Sequence, residues 1–190
     1  IFGHAQESIQ TEETPFNPTS PYGVCKAFCF QMGKVYRSGY GMHVSNGILY
    51  NHESPRRGEN FVTQKIVRGA ASIAQGKTEF LELGNLDIER DWGYAPDYVQ
   101  GMWMMLQQEK GADYILATGK THKLSDFLQL SFEYFGLDHL NHIRINPKFV
   151  RPNEPVQLCG DSSKAENILG WKPSVTFEQI IKSMCEDAEK

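Results

Sequence analysis

Residues 17–28 read NPTSPYGVCKAF, a proline-marked loop running into a helix that carries Tyr22 and Lys26 one turn apart. Ser20 has the chemistry and position to cap that helix. Pro21 suits its first turn, where a missing N–H leaves no hydrogen bond unmade. The helix is expected to run to about Gly39. Upstream, EETPFNPTSP (residues 12–21) is loop punctuated by three prolines, and the opening IFG reads as the end of a strand.

Downstream, strand and helix signals alternate. MHVSNGILYN (42–51) reads as a short strand, apolar enough to be buried on both faces, and HESPRRGEN (52–60) as a charged loop. FVTQKIVRGAASIAQG (61–76) has apolar residues at 62, 66, 67, 70, 73 and 74, the helical period, with Asn60 as the expected cap and Gly76 as the stop. TEFLELG (78–84) alternates as a strand, and NLDIERDWGYAPD (85–97) reads as a polar loop. A helix over 96–109, a compact strand in DYILATG (113–119) and a helix over 123–135 ending at Gly136 follow. HIRINP (142–147) predicts a further short strand. The tail from Asp161 predicts two helices, the second opened by Thr176 with Gln179 in capping-box spacing. This order predicts an α/β fold with a parallel sheet.

The 190 residues are 40% hydrophobic and 22% charged, the profile of a globular protein with a real core. A net charge of -4 argues against general nucleic-acid binding, while Arg56, Arg57, Lys65, Arg90 and Arg151 could still furnish a local pocket for a small anion. No apolar run approaches membrane-spanning length, MWMML (102–106) being typical of the longest, and no signal peptide opens the chain. The four cysteines, at 25, 29, 159 and 185, form no C-x-x-C pair and have no histidine placed to complete a metal site. Cys25 and Cys29 share a helical face and are expected as small buried hydrophobes, with free thiols fitting a reducing, cytoplasmic setting.

Tyr22 and Lys26 make chemical sense as a pair. A free tyrosine, with a pKa of about 10, is a poor base at neutral pH. An ammonium one turn away favours the phenolate, and the first turns of a helix favour a negative oxygen too. Chance is a real competitor: eight tyrosines and twelve lysines in this length give about half such a pair at random. The surrounding frame, loop then Ser20-Pro21 then Tyr22-Gly23, raises the catalytic reading. Without more, Arg56 and Arg57 would be read as solvated loop, Lys65 as a surface lysine, and Trp92 and the MWMML stripe as core. Gly39-Tyr40-Gly41 is no dinucleotide fingerprint, since Val44 occupies the third glycine's place and a strand follows.

TPFNPTSPYGVCK (14–26) resembles the active-site segment of extended short-chain dehydrogenases that act on nucleotide sugars, and ILGWKPSVTFEQII (168–181) resembles the end of the same superfamily. Three stretches narrow this: residues 46–66 (NGILYNHESPRRGENFVTQKI), residues 83–107 (LGNLDIERDWGYAPDYVQGMWMMLQ) and VRPNEP (150–155) are similar to the GDP-mannose 4,6-dehydratase family. The resemblance covers essentially the whole chain, with a shortened connection before VRPNEP. It implies the C-terminal part of a Rossmann-type parallel sheet plus a smaller α/β substrate-binding domain. Residues 1–54 and 92–118 would belong to the first, and 55–91 and 119–190 to the second.

The same resemblance implies NADP as cofactor, GDP-mannose as substrate, GDP-4-keto-6-deoxy-mannose as product, and a homo-oligomer, dimer or tetramer. Tyr22 would take the proton from the sugar 4-hydroxyl as hydride moves to the nicotinamide, with Lys26 biasing the tyrosine and holding the ribose. His52 and Arg57 match cofactor positions, Arg57 on a loop that in the family reaches across a subunit interface. Asn51, Lys65, Arg90, Arg151 and Glu154 match positions that hold the GDP-sugar. Arginines can grip a diphosphate in bidentate fashion, and a glutamate accepts hydrogen bonds from hydroxyls. The family's glycine-rich βαβ unit and a Ser/Thr and Glu that serve proton transfer and elimination would precede Ile1. The expectation is therefore half an enzyme, inactive alone, with an exposed sheet edge. A related nucleotide-sugar epimerase or reductase, and a non-catalytic GDP-sugar-binding module, are the competing readings.

Overall fold

The computed structural model describes residues 1–150, 155 and 157–190. Helix α1 spans Pro21–Tyr40 and begins as expected: Ser20 accepts a hydrogen bond from the Gly23 N–H, with Pro21 in the first turn. It ends at Gly41, whose φ of 65° is the left-handed conformation a glycine takes without strain. Strand β1 (Asn46–Leu49) pairs in parallel with β6 (Asp113–Leu116), Ile48 beside Ile115. Between them come β2 (Asn51–Glu53), α2 (Val62–Ala74), β3 (Leu81–Leu83), β4 (Glu89–Arg90), β5 (Trp92–Tyr94) and α3 (Ala95–Leu106). After β6 follow β7 (His122–Lys123), α4 (Leu124–Tyr134), β8 (Ile143–Ile145), β9 (Gln157–Leu158), α5 (Ser163–Leu169) and α6 (Phe177–Ala188). The Thr176–Gln179 capping box is formed in both directions.

Parallel pairing dominates, as the alternating pattern predicts. β2 pairs with β5, β3 with β8 and β4 with β9 in parallel, and only β4 with β7 is antiparallel among the described strands. Three apolar clusters hold the elements together. The largest joins α2, α4 and α6 around Ile66, Val67, Phe127, Phe132, Ile180 and Met184, with Trp92 stacked on Phe177 at 5.9 Å. Each such side chain contributes about 1.5–3 kcal/mol on burial. A second packs α3 and α5 on β6 through Tyr98, Leu116, Ala165 and Trp171, and the third sets Phe30 of α1 against Ile48 and Tyr50.

Several expectations are corrected. The 85–97 stretch is not a polar loop: it contains β4 and β5, whose partners lie far along the chain. Asn60 does not cap α2; the cap position is Phe61, which makes no side-chain bond. β1 is not buried on both faces, because Gly47 is exposed and Leu49 only half-buried on the face opposite Ile48; its edge away from β6 also has no described strand beside it. Cys25 and Cys29 are exposed, on a face of α1 that no described element covers, together with Tyr22, Val24 and Phe28. In MWMML, Met105 is core while Met102 and Trp103 are exposed. IFG is not strand, although Phe2 is buried and Gly3 has a φ of 56°.

Candidate functional site

Helix α1 runs antiparallel to β1. Arg37 bonds Val44 and Asp113 near the strand starts, Asn46 bonds the Phe30 carbonyl, and Phe30 packs on Ile48 and Tyr50. Descending the helix from Gly33, which abuts Asn46, to Tyr22 covers roughly 16 Å at 1.5 Å per residue. Ascending the chain from Asn46 to His52 covers roughly 20 Å at 3.3 Å per residue. Tyr22, Lys26, Asn51 and His52 thus gather toward the carboxyl end of the β1–β6 ladder, the end at which open parallel sheets bind ligands.

Tyr22 is 72% exposed, and the Lys26 ammonium lies over its ring, 5.5 Å from the centroid. His52 places Nδ1 2.8 Å from the Tyr50 carbonyl oxygen. A carbonyl only accepts, so Nδ1 carries the proton, and in the neutral ring Nε2 remains as an acceptor. The imidazole stacks at 5.1 Å on Tyr98, which is wholly buried. Burial pushes the Tyr98 hydroxyl pKa upward, with nearby Asp91 acting in the same direction, and its oxygen has no hydrogen-bond partner among the described residues.

Beyond β2 the chain turns through 54–61. Arg57 sets its Nε 3.3 Å from Glu53 Oε2 and its guanidinium 3.6 Å over the Phe61 ring. Glu53 is 1% exposed, and its Oε2 also accepts the Thr63 hydroxyl at 2.6 Å. Desolvation raises the Glu53 carboxyl pKa, opposed by the Thr63 bond and the Arg57 charge. The reading of residues 54–57 as ordinary solvated loop therefore fails for Arg57, though Arg56 is exposed. Lys65 is half-buried rather than a free surface lysine: its ammonium donates to the Glu82 carbonyl at 2.6 Å and lies 4.0 Å from the Phe149 ring centre.

Arg90 is buried in β4, with Nη1 donating to the Glu89 carbonyl at 2.7 Å. Its neighbour Asp91 is wholly buried and accepts from the Thr118 N–H and hydroxyl, the Gly119 N–H and the Gly160 N–H. Burial raises the Asp91 pKa, and those bonds oppose the shift. Arg151 and Glu154 lie outside the described residues. Among the described residues, no hydrogen bond, ion pair or ring contact joins Tyr22 or Lys26 to Asn51, His52, Arg57 or Lys65; Tyr22, Lys26, Asn51 and His52 share an end of the β1–β6 ladder rather than a network. No group of His, Cys, Asp and Glu suited to a metal ion occurs among the described residues. Glu53, Asp91 and Tyr98 were not singled out from sequence; the one available signal was Glu53 four residues before Arg57.

What these groups offer is a tyrosine and ammonium open to solvent, a histidine acceptor, and an arginine with its guanidinium plane fixed. That set suits hydroxyls and phosphates, the groups of a nucleotide cofactor. Comparison with known proteins agrees on the kind of protein. The family described as GDP-mannose 4,6 dehydratase matches residues 1–184. The chain is 46% identical over 201 residues to the Drosophila melanogaster protein named GDP-mannose 4,6 dehydratase, covering 97% of this chain and 51% of that one. It is 50% identical over 178 residues to GDP-mannose 4,6 dehydratase 1 of Arabidopsis thaliana, covering 94% and 49%. The chain thus spans about half the length of the curated relatives it matches.

Solved structures share the fold at lower identity. RMD from Pseudomonas aeruginosa complexed with NADPH superposes with a TM-score of 0.82 at 23% identity, over 95% of this chain and 60% of that one. The dTDP-glucose 4,6-dehydratase of Bacillus anthracis in complex with NAD gives 0.83 at 21%, over 97% and 57%.

Proposed function

The chain belongs to the GDP-mannose 4,6 dehydratase family, and we propose that it supplies the tyrosine–lysine pair and the sugar-nucleotide pocket of an NADP-dependent enzyme converting GDP-mannose to GDP-4-keto-6-deoxy-mannose. The observation that carries this reading is the exposed Tyr22–Lys26 pair at the carboxyl end of the β1–β6 ladder, in a chain that matches the family over residues 1–184. In this reading residues 1–54 and 92–118 form the cofactor side and 55–91 and 119–190 the sugar side, and the working protein is a homo-oligomer.

NADP, when bound, supplies the hydride acceptor and later the donor. Tyr22 takes the proton of the sugar 4-hydroxyl, and the Lys26 ammonium favours the phenolate that does so. Lys26 also donates to ribose hydroxyls, His52 accepts through Nε2, and Arg57 donates to cofactor oxygens. Asn51, Lys65, Arg90, Arg151 and Glu154 hold the GDP-sugar.

The test is incubation of the full-length protein with GDP-mannose and either NADP or NAD, followed by mass spectrometry. Loss of one water from the sugar nucleotide with NADP, and much less with NAD, is the expected result; an unchanged mass with both cofactors rejects the dehydratase reading. Titrating the 190-residue chain itself with GDP-mannose by calorimetry, without cofactor, then asks whether the sugar pocket stands alone. Binding abolished by Arg151→Ala supports it.

A further inference from the structure

The turn between β2 and α2 is built around one carboxylate. Glu53, the last residue of β2, is inaccessible to solvent in all but 1% of its surface. Its Oε2 accepts the hydroxyl of Thr63, in the first turn of α2, and faces Nε of Arg57 at 3.3 Å. Phe61 supplies a flat surface 3.6 Å beneath the guanidinium. Backbone bonds from Arg57 N–H to the Ser54 carbonyl and from Phe61 N–H to the Gly58 carbonyl close the turn. An arginine side chain has several rotatable bonds and costs up to about 2 kcal/mol in lost rotamer freedom when it is fixed. Here that ordering is done before any ligand arrives.

The orientation is specific. Glu53 sets its charge beside the Nε edge at 3.3 Å without closing a hydrogen bond to that nitrogen, and Phe61 covers the face, while no described hydrogen bond or ion pair engages the two terminal nitrogens. Those nitrogens form the fork that matches a phosphate bidentately. A carboxylate placed at the fork itself would compete with an anionic ligand; one at Nε steers the fork without occupying it.

We propose that Glu53 is a positioning residue for cofactor binding, holding Arg57 with its terminal nitrogens presented to a phosphate of the dinucleotide. The proposal rests on the reading of Arg57 as a cofactor residue. Glu53 touches no ligand; it acts through Arg57, assisted by Phe61. Thr63 anchors the carboxylate to α2, so the same group also fixes where that helix begins.

A double-mutant cycle in the full-length protein tests it, with NADP as the titrated probe and melting temperature followed in parallel. Arg57→Ala weakens NADP binding. Glu53→Gln, which keeps the shape and a hydrogen-bonding oxygen, weakens it roughly ten-fold in the native background and not at all in the Arg57→Ala background. Glu53→Gln also raises the melting temperature of Arg57→Ala, because it removes a buried carboxylate left without its cation, while leaving affinity unrestored. Equal weakening by Glu53→Gln in both backgrounds, or none in the native one, overturns the proposal while the cofactor role of Arg57 stands. Unchanged affinity in Arg57→Ala itself removes that role and the proposal together.

Discussion

The Lys26 ammonium sits over the face of the Tyr22 ring, 5.5 Å from its centre, on the first two turns of α1. A cation placed there can swing to the phenol oxygen by side-chain rotation alone, since both residues are exposed. In the full-length protein Tyr22→Phe should lower turnover of GDP-mannose by about 10²–10⁴-fold, the usual worth of a positioned acid–base group. GDP-mannose affinity should change little, which calorimetry on the same variant checks.

Ser20 is the one side-chain cap at the head of that helix, accepting from Gly23 at 3.0 Å. Ser20→Ala should cost about 1 kcal/mol, read as a lower urea midpoint at unchanged slope.

Asp91 serves four donors from two separate loops, and it is the pin on which residues 118–119 and 160 converge. Asp91→Ala should destabilise the fold by about 1–3 kcal/mol, because four donors, the buried Gly160 N–H among them, lose their acceptor. Gly160→Ala strains the same junction by another route. Its Cβ would come within 2.5 Å of the Tyr50 ring and 2.6 Å of the Ala117 Cβ, an overpacking worth about 1–3 kcal/mol. Chemical denaturation of each variant measures both.

How much of this was legible in the sequence depends on how local the cause is. Caps, stops and helical periods were readable because they are settled within a few residues: Ser20, Gly136 and the Thr176–Gln179 box all behave as their neighbours dictate. β4 was not readable. It is two residues long and exists because residues 122–123 and 157–158 come to lie beside it. Cys25 and Cys29 show the other limit, since periodicity tells which residues share a face but not whether anything covers it. Glu53 lay in a run of charges that looks solvated, and nothing in that run shows that Thr63, ten residues on at the head of α2, meets its carboxylate in the interior.

The thiols give a direct check on that correction. Cys25 and Cys29 should react with a thiol reagent at neutral pH far faster than Cys159 and Cys185, which are buried. Burial pushes the Cys185 thiol up to about 12, so it holds almost no thiolate at neutral pH. Two thiols titrating quickly and two only after denaturation is the expected count; four equal rates would contradict the packing of α6.

Glu53 also predicts a pH dependence of uncommon sign. Its folded carboxyl pKa is raised, chiefly by desolvation, so the folded state holds that proton more tightly than the unfolded chain. Its contribution to stability must therefore fall as pH rises from the ordinary carboxylate range through the raised value. Asp161, whose pKa is lowered by hydrogen bonds from Ser163, works in the opposite direction, losing stability as pH falls. Comparing urea midpoints of the native protein and Glu53→Gln across pH isolates the first term, and the gap between them should shift in favour of the variant as pH rises.

The β1–β6 ladder carries a further consequence in its two flanks. Asn46 and Tyr50 donate to the carbonyls of Ala112 and Leu116, which turns the Ile115 amide to the side of β6 that faces away from β1. That amide is taken by the Glu12 carboxylate at 2.8 Å. A side chain does there what a neighbouring strand would otherwise do, and it brings a negative charge to the rim. Among the described residues the ladder therefore differs at its two edges: a carboxylate occupies the outward amide of Ile115 on β6, while no strand lies along the far edge of β1.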